Sequence, residues 1–499
     1  MLNPLSDSTR PDAVLSDQNG PDSRTALVLD LDGTLCRSDT LHEALVGVAA
    51  HRPLELPSVL VALTQGKAAF KKAVADHCVV PGGLLPYNQD VLDLAHAARA
   101  EGRRVVLVSA SDQRQVDAVA EHLEIFDEAI GTGGADSAAN VNLGGAHKAD
   151  LLVARFGEGG FDYAGDRSVD LEVWARARRV ITVGADSGLR HKAGALDAQA
   201  VHLPGGAGSV AKGLLRAMRP HQWLKNILVF LPMVAAHDTS LLGQAMAAFV
   251  AFCLLASSVY LFNDLVDLQA DREHPRKRFR PFAAGDVPVM TGVAVGAGLF
   301  VAAVLVAMLF TPPAFLAVLA VYYVATFLYS LWLKRKLIVD VLTLASLYTL
   351  RIIAGAAATS VFLSPWMLGF SMFLFLSLAA VKRQAELMDQ LRDGREKTAG
   401  RAYLTEDLPV LRGMALSSGY AAVMVFALYI NSADVRGLYN LPEALWLICP
   451  LLLYWISRMV MMTHRGYMND DPIVYTARDR TSLLVILLCF AVVVIATLA

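Results

Sequence analysis

The chain has 499 residues, of which 55% are hydrophobic and 18% charged, and its length is sufficient for two or three domains. A formal net charge of −2 argues against a nucleic-acid partner, and five scattered cysteines argue against a disulfide framework or a zinc site. Up to about Gly205 the composition is that of a soluble domain, whereas long apolar runs follow Trp223. The sequence therefore predicts a soluble part followed by an all-α membrane bundle.

The first part of the chain has the pattern of an α/β domain. Residues 1–24 are polar and rich in Ser, Asp and Pro, which predicts a disordered leader without a signal peptide. Residues 25–203 alternate short apolar runs with helical stretches, which predicts a Rossmann-like domain with a parallel sheet. A helical insertion from Leu41 to about Val79 is expected to cap the site, and residues 204–213 are a predicted linker. The predicted strands are Ala26–Leu29, Val105–Val108, Tyr163–Ala164, Val180–Val183 and Ala200–Leu203.

Polar side chains follow several of these strands, at the edge where open α/β sheets bind ligands. The motifs are DLDGT at 30–34, a serine after the second strand, GAHK at 145–148 and GDRSVD at 165–170. Their candidate functional residues are Asp30, Asp32, Ser109, Lys148, Asp166 and Asp170. The four motifs in this order resemble those of the haloacid dehalogenase-like phosphatase superfamily over residues 25–203.

That resemblance implies a two-step phosphate hydrolysis. Asp30 is expected to attack phosphorus and form an aspartyl-phosphate, while Asp32 protonates the leaving oxygen and later activates water. Ser109 and Lys148 are expected to hold the equatorial oxygens as charge develops. Mg²⁺ is expected on the acidic residues, with Asp170 in a supporting position; these residues are Asp30, Asp32, Asp166 and Asp170. A binding or regulatory module without turnover is the alternative.

The second part of the chain contains about nine apolar runs, of which the first is short for a membrane span. They are Ile227–Ala236, Met246–Phe262, Val289–Phe310, Ala314–Leu333, Ile338–Ala358, Trp366–Ala380, Met414–Ile430, Ala444–Met462 and Leu483–Ala499. The loops after the second, fourth and sixth runs are rich in Lys and Arg, whereas the alternate loops hold almost none apart from Arg436. The positive-inside rule then predicts a multi-pass protein of the cell (inner) membrane. It places the N-terminal domain, the basic loops and both active sites in the cytoplasm, and Ala499 outside.

Acidic residues cluster at the end of the second run. Asp264, Asp267 and Asp271 are spaced i, i+3 and i+7, which predicts one face of a helix. Acids at a membrane edge are functional candidates, and a Mg²⁺ ion bridging to a diphosphate would relieve their mutual repulsion. The NDxxDxxxD pattern resembles the leading motif of the UbiA prenyltransferase superfamily, and residues 214–499 resemble that superfamily as a whole. The resemblance implies that Asp264 and Asp267 are catalytic and that all three acids hold Mg²⁺.

A second acidic set lies at the end of the sixth run. Glu386 and Asp389, followed by Asp393, repeat the i, i+3, i+7 spacing and are expected to bind metal. This set departs from the superfamily pattern because a glutamate leads and Lys382-Arg383 precede it. A solvated helix end is the alternative interpretation.

Four basic strings point to one branch of the superfamily. HPRKRFRP at 274–281, RPHQWLKN at 219–226, YSLWLK at 329–334 and KRQAE at 382–386 resemble the decaprenyl-phosphate phosphoribosyltransferases. These enzymes move phosphoribose from phosphoribosyl diphosphate (PRPP) to a polyprenyl phosphate. The residues implied to bind substrate are Lys225, Asn226, Asn263, Lys277, Arg278, Arg280, Tyr329, Lys334, Lys382 and Arg383. The positive-inside rule explains a basic loop equally well, and prenyl transfer to an aromatic acceptor is the alternative activity.

The fusion itself suggests a bifunctional enzyme. The product of phosphoribosyl transfer carries a 5-phosphate, and a tethered phosphatase on the same membrane side would meet it at raised effective concentration. The sequence leaves open the polyprenyl length, the phosphatase substrate, the oligomeric state and direct transfer of the intermediate. It also leaves open whether Asp340 and Arg351 contact substrate or form a structural ion pair.

Overall fold

The computed structural model describes residues 25–135, 141–206, 208–392, 394, 401–432, 437–468 and 471–498. The predicted leader at 1–24, Asp393 and Arg436 lie outside these residues. The chain divides into two compact units. The first comprises the N-terminal part up to Gly213 together with Val266–Met290, and the second comprises Leu214–Leu265 together with the chain from Thr291 onward.

The first unit is built on a six-stranded parallel sheet, which confirms the predicted α/β class. The strands are β1 (Ala26–Leu29), β2 (Val105–Asp112), β3 (Glu128–Thr132), β4 (Phe161–Gly165), β5 (Arg179–Val183) and β6 (Val201–Leu203). Their order is β3-β2-β1-β4-β5-β6, so β1 lies between β2 and β4. The pairing of Leu29 with both Leu107 and Ala164 brings the carboxyl ends of these three strands to one edge. Strand β3 was not predicted because its EAIGT sequence lacks a run of apolar residues.

Helices flank this sheet and form the predicted insertion. The helices are α1 (Thr40–His51), α2 (Leu56–Val61), α3 (Lys67–His77), α4 (Gln89–Ala100), α5 (Gln113–Leu123), α6 (Ala146–Phe156), α7 (Leu171–Trp174) and α8 (Ser187–Leu196). Helix α1 begins after Asp39, whose side chain accepts the amide of His42 and so satisfies one of the free donors of the first turn. Helices α1 to α3 occupy the span in which the sequence predicted a helical insertion.

The segment Val266–Met290 belongs to this same unit, although the sequence assigns it to the membrane part. It contains helix α12 (Leu268–Glu273) and a 3₁₀ turn at Lys277–Phe279. Phe282, Ala283 and Val287 are buried. Gly285 has φ +73°, and a Cβ atom there would lie 2.9 Å from the Cβ of Arg37, so only glycine fits at this close approach.

The second unit is helical and confirms a multi-pass membrane protein. Helices α9 (Val210–Met218) and α10 (Leu231–Ala235) flank a 3₁₀ helix at Pro220–Phe230. The long helices are α11 (Leu242–Val266), α13 (Val289–Phe310), α14 (Pro313–Leu331), α15 (Val339–Thr359), α16 (Pro365–Arg392), α17 (Leu408–Ile430), α18 (Ile448–His464) and α20 (Arg480–Leu498), with the short α19 (Pro472–Arg478) before the last. With their 3₁₀ extensions, eight helices among the described residues are long and apolar enough to cross a membrane.

The first predicted span has an unusual form. The 3₁₀ helix at Pro220–Phe230 and helix α10 together rise about 30 Å, which matches the hydrocarbon thickness, because a 3₁₀ helix rises about 2 Å per residue. At one end Lys225 bonds to Asp471, which follows α18, and at the other the ring of His237 contacts Tyr439, which precedes α18. The short segment therefore contacts residues beyond both ends of this helix, and its crossing of the membrane stays a prediction.

Candidate active sites

The predicted nucleophile lies directly after β1, beside a buried cation. Lys148 Nζ lies 2.8 Å from Asp30 Oδ1 and donates to the hydroxyl of Tyr163 at 2.9 Å. Helix α6 carries Lys148, whose side chain is only 3% exposed. The ammonium group thus neutralises charge at the point where a phosphate would meet Asp30.

Three carboxylates gather at this sheet edge. Ligand oxygens of Asp30, Asp166 and Asp170 all lie within 4.8 Å of one another. One Asp170 oxygen also accepts the amides of Asp166 and Arg167, at 3.1 and 3.0 Å, which fixes the loop after β4. Burial, and then the charge of Asp30, raise the pKa of Asp166 to about 8. A hard divalent cation would offset this repulsion, so the three carboxylates fit a magnesium site.

Glycine at position 33 leaves room for the cluster of carboxylates. Gly33 has φ +84°, and a Cβ atom there would lie 2.1 Å from the Asp166 carboxylate. The DxDGT motif therefore needs its glycine for both the turn and the approach of the second acid.

Asp32 lies in a different hydrogen-bonding environment. Its oxygens accept the amide and hydroxyl of Thr40, both at 2.7 Å, and the hydroxyl of Ser111 at 2.5 Å. Burial and the nearby Asp39 raise the pKa of Asp32 to about 6, which suits a general acid near neutral pH. Asp32 is not a member of the cluster that Asp30, Asp166 and Asp170 form, so its predicted metal contact stays a prediction.

The raised pKa of Asp32 leads to a pH prediction. A sugar phosphate has a poor leaving group and needs protonated Asp32, so its hydrolysis should fall about tenfold per pH unit above about pH 6. Hydrolysis of p-nitrophenyl phosphate, whose leaving group needs no proton, should not show this limb. The check is kcat/KM against pH for both esters, with Asp32→Asn as the control that should remove the difference. Parallel profiles for the two esters would contradict the acid role of Asp32.

The structure adds two residues that the sequence did not single out. Ser109 accepts the amide of Ser111, and it is Ser111 whose hydroxyl reaches Asp32. Lys71, on α3 of the insertion, donates to the carbonyl of Ala110 and to the side chain of Asn142, both at 2.6 Å. The serine pair at 109 and 111 was a readable signal, whereas no local pattern marks Lys71.

The first acidic motif of the membrane part does not lie on one helix. Helix α11 ends at Val266, Asp267 follows it, and Asp271 lies in α12. The prediction of one uninterrupted helix is therefore wrong, and a shared face for the three acids stays a prediction. A carboxylate is unfavourable at a helix C-terminus, which agrees with the end of α11 before Asp267.

The acids of this motif are matched by nearby arginines. In the second unit the buried Asp264 forms an ion pair with Arg219, whose guanidinium also lies 5.0 Å from the ring centre of Tyr260. In the segment Val266–Met290, Asp271 accepts from Arg280 at 2.6 Å and lies 3.9 Å from Lys277. The predicted sharing of one metal ion by Asp264, Asp267 and Asp271 stays a prediction.

Two adjoining cavities, of about 190 and 290 Å³, lie within the second unit. Both are lined by Lys225, Tyr260 and Lys382. The first also has Asn263 and Tyr329 in its wall, with the cations Arg351 and Arg401; the second is lined by Arg219, Glu386, Asp389 and Asp471. Such volumes far exceed the ~10–15 Å³ that one water needs. The charged residues that line the first cavity are all cations, which suits a phosphorylated ligand, whereas the second cavity has as many acids as bases in its lining.

Asp471 joins two of the predicted substrate-binding lysines and was not itself predicted. Its carboxylate accepts from Lys225 at 2.6 Å and from Lys382 at 3.0 Å. Burial alone would raise the pKa of Asp471, but Lys382 and Lys225 hold that pKa below its usual range. The acidic run before Pro472 was the available signal.

Asp340 is part of a buried ionic network. It lies 2.7 Å from Arg383 and 3.1 Å from Arg401, and it accepts from the hydroxyl of Tyr329 at 2.8 Å. The same two arginines pair with Glu386. Of the two interpretations that the sequence left open for Asp340, the structure supports the ion pair. It also gives Arg383 and Glu386, predicted to bind substrate and metal, partners within the protein.

Arg351 makes hydrogen bonds rather than a carboxylate contact. It donates to the side chain of Asn226 at 3.0 Å, to the hydroxyl of Tyr322 at 2.7 Å and to the carbonyl of Leu347 at 2.6 Å. Arg351 also lines the first cavity, whereas Asn226 does not. Asn226 therefore contributes to that cavity by orienting the guanidinium of Arg351.

Of the two predicted substrate-binding lysines Lys225 and Lys334, only Lys225 is among the described residues that line the cavities. Lys225→Gln is expected to raise the KM for the phosphorylated donor about tenfold or more, because it removes a charge-assisted contact. Lys334→Gln is the matched control, since Lys334 is not among the described residues that line the two cavities. Initial rates against donor concentration give both values. Equal changes in the two variants would contradict a role specific to Lys225.

Residues 227–477 match the UbiA prenyltransferase family, and residues 49–174 match the haloacid dehalogenase-like hydrolases. The chain is 36% identical to the uncharacterized protein y4nM of Sinorhizobium fredii, across 92% of this chain and 89% of that protein. It is 37% identical to the nodulation protein NoeC of Azorhizobium caulinodans, across 54% of this chain and 89% of NoeC. It is also 37% identical to the decaprenyl-phosphate phosphoribosyltransferase of Mycolicibacterium smegmatis, across 45% of this chain and 72% of that enzyme.

Proposed function

We propose that this chain, which belongs to the UbiA prenyltransferase family and carries a haloacid dehalogenase-like hydrolase domain, is a bifunctional enzyme. It transfers 5-phosphoribose from PRPP to a polyprenyl phosphate and then removes the 5-phosphate from the product. The observation that carries the proposal is the basic lining of the first cavity, to which Lys225, Arg351, Lys382 and Arg401 contribute. A donor with a 5-phosphate and a diphosphate needs more cations than a prenyl diphosphate with an apolar tail.

The transfer step exchanges one oxygen on the anomeric carbon for another. The C1–O bond to diphosphate breaks, and an oxygen of the lipid phosphate forms the new C1–O bond. Mg²⁺ held by Asp264, Asp267 and Asp271 would neutralise charge on the departing diphosphate. Lys225, Lys382 and Arg351 supply cations for the remaining phosphates. An ionised lipid phosphate needs no general base.

The hydrolytic step uses the site at the end of β1. An oxygen of Asp30 attacks phosphorus, the ester P–O bond breaks, and Asp32 protonates the leaving sugar oxygen. Water then attacks the aspartyl-phosphate, its proton passes to Asp32, and inorganic phosphate leaves with Asp30 restored. Mg²⁺ on Asp30, Asp166 and Asp170 would offset the charge of the phosphoryl group.

We further propose that both sites face the cytoplasm, from the cell (inner) membrane. Basic residues concentrate after α11, α14 and α16, in the loops that share one membrane side when nine segments cross. The 3₁₀ segment at Pro220–Phe230 supports the odd number of crossings. The lipid product and the phosphatase would then meet on the same side.

The test is an assay of purified protein in detergent with Mg²⁺, radiolabelled PRPP and polyprenyl phosphate, resolved by thin-layer chromatography. A labelled lipid, formed only when both substrates are present and free of its 5-phosphate, is the expected product. Lack of labelled lipid from folded protein would overturn phosphoribosyl transfer. Prenyl diphosphates with aromatic acceptors would be the next substrates, since they represent the alternative activity of this family.

A further inference from the structure

A buried ion pair holds the segment Val266–Met290 within the first unit. Arg272, on α12, donates to the two oxygens of Glu43 at 2.7 and 2.5 Å, and to the carbonyl of Ala283 at 3.0 Å. The side chains of Arg272 and Glu43 are only 5% and 2% exposed. Glu43 lies in the first turn of α1, in the insertion of the phosphatase domain. A bidentate, desolvated pair of this kind fixes both orientation and register.

Other contacts surround this pair. The Gln269 side chain lies near the thiol of Cys78, which follows α3 of the same insertion. Gly285 packs against Arg37. The segment is thus fixed to the phosphatase domain near both of its ends, and Arg272 lies at the centre of these contacts.

The ion pair of Arg272 with Glu43 lies next to residues that are predicted to bind metal and substrate. Arg272 directly follows Asp271, whose carboxylate bonds to Arg280. Arg272 also holds the carbonyl of Ala283, beyond the basic cluster, so one guanidinium fixes both sides of the turn that carries the predicted diphosphate ligands. Removing Glu43 would leave a buried, uncompensated charge beside Asp271.

We infer that Glu43 and Arg272 are positioning residues for the transferase, and that the phosphatase domain is a structural part of its metal-binding segment. This inference rests on the proposed function for the identity of the reaction. Glu43 also lies three residues after Thr40, which bonds to Asp32. The same helix therefore contacts the phosphatase acid at its start and the transferase segment one turn later.

The test compares Glu43→Gln, Arg272→Gln and the double variant in the full-length protein in detergent. Glu43→Gln should reduce phosphoribosyl transfer by about tenfold or more and raise the KM for Mg²⁺, because it leaves Arg272 buried and unpaired next to Asp271. It should also speed tryptic cleavage at the basic cluster of residues 276–280. Hydrolysis of p-nitrophenyl phosphate checks that the domain is folded. The double variant should recover part of the loss, because it leaves no unpaired charge.

Arg103→Gln is the matched control. It breaks another buried ion pair of the same domain, the pair of Arg103 with Asp162. Neither of these residues belongs to the segment Val266–Met290. The inference would be overturned if Glu43→Gln kept the wild-type Mg²⁺ dependence and the wild-type rate of tryptic cleavage. It would also be overturned if Arg103→Gln altered both quantities as Glu43→Gln does. If the wild-type protein forms no phosphoribosyl lipid, the proposed function fails separately. In that case the test is whether Mg²⁺ and inorganic diphosphate protect the basic cluster from trypsin. Protection that is lost in Glu43→Gln only would still support the positioning role, and protection that Glu43→Gln retains would overturn it.

Discussion

Asp30→Asn is expected to stop removal of the 5-phosphate while phosphoribosyl transfer continues. The amide keeps the shape of the carboxylate but cannot attack phosphorus, and loss of a covalent nucleophile typically costs at least about 10³-fold in rate. Lys148 then also loses the charge that it pairs with at 2.8 Å. In the labelled PRPP assay, the lipid should accumulate with its 5-phosphate in place.

A surface acid of the same domain provides the control for this variant. Asp150 is 62% exposed and pairs with Arg176, so Asp150→Asn should hydrolyse the product at the wild-type rate. Retained hydrolysis in Asp30→Asn would show that the domain binds or regulates without using this nucleophile. Loss of hydrolysis in both variants would show damage to the domain as a whole.

Asp264→Asn is expected to abolish the labelled lipid, with a loss of roughly 10²- to 10³-fold in transfer rate. Asp264 is buried in the second unit and pairs with Arg219, so its charge is held in a site that excludes most water. Without that charge a metal ion loses a ligand, and Arg219 loses its partner. Hydrolysis of p-nitrophenyl phosphate should continue, because the phosphatase residues belong to the first unit.

The matched control for this variant is Asp479→Asn. Asp479 is also paired with an arginine, Arg458, at 2.6 Å. Arg458 is not among the residues that line the two cavities, whereas Arg219, the partner of Asp264, lines the second. Asp479→Asn should therefore retain most of the transfer activity. Activity of Asp264→Asn close to that of the control would contradict the metal-binding role of the motif.

The acidic motifs show where local sequence succeeds and where it stops. Glu386 and Asp389 lie three residues apart on α16, and both line one cavity, as helical periodicity requires. Asp264 and Asp271 are seven residues apart, which is also a helical spacing, but α11 ends between them. Asp271 bonds instead to Arg280, and helical periodicity does not predict that contact.

The first predicted membrane span shows a similar limit. Apolar composition identified the run Ile227–Ala236, but its length was short for an α-helix that crosses a bilayer. The 3₁₀ form of Pro220–Phe230 lengthens the segment, and Gly355 lets it approach α15, where a Cβ atom would lie 2.1 Å from the carbonyl of Val229. Apolar composition predicts that a segment is buried, whereas its backbone conformation depends on the helices that pack against it.

The sequence by itself determined the two-part architecture, the parallel sheet, the apolar runs and the phosphatase motifs, because these depend on local periodicity and on residues close together in the chain. Only the tertiary structure decided that Asp471 joins Lys225 to Lys382, that Asp340 pairs with Arg383, and that Arg272 pairs with Glu43. The residues of each pair are separated by 43 to 246 positions in the chain. A charge leaves the same local pattern whether it faces water, a ligand or a distant partner, so its role is fixed only when folding selects its neighbour.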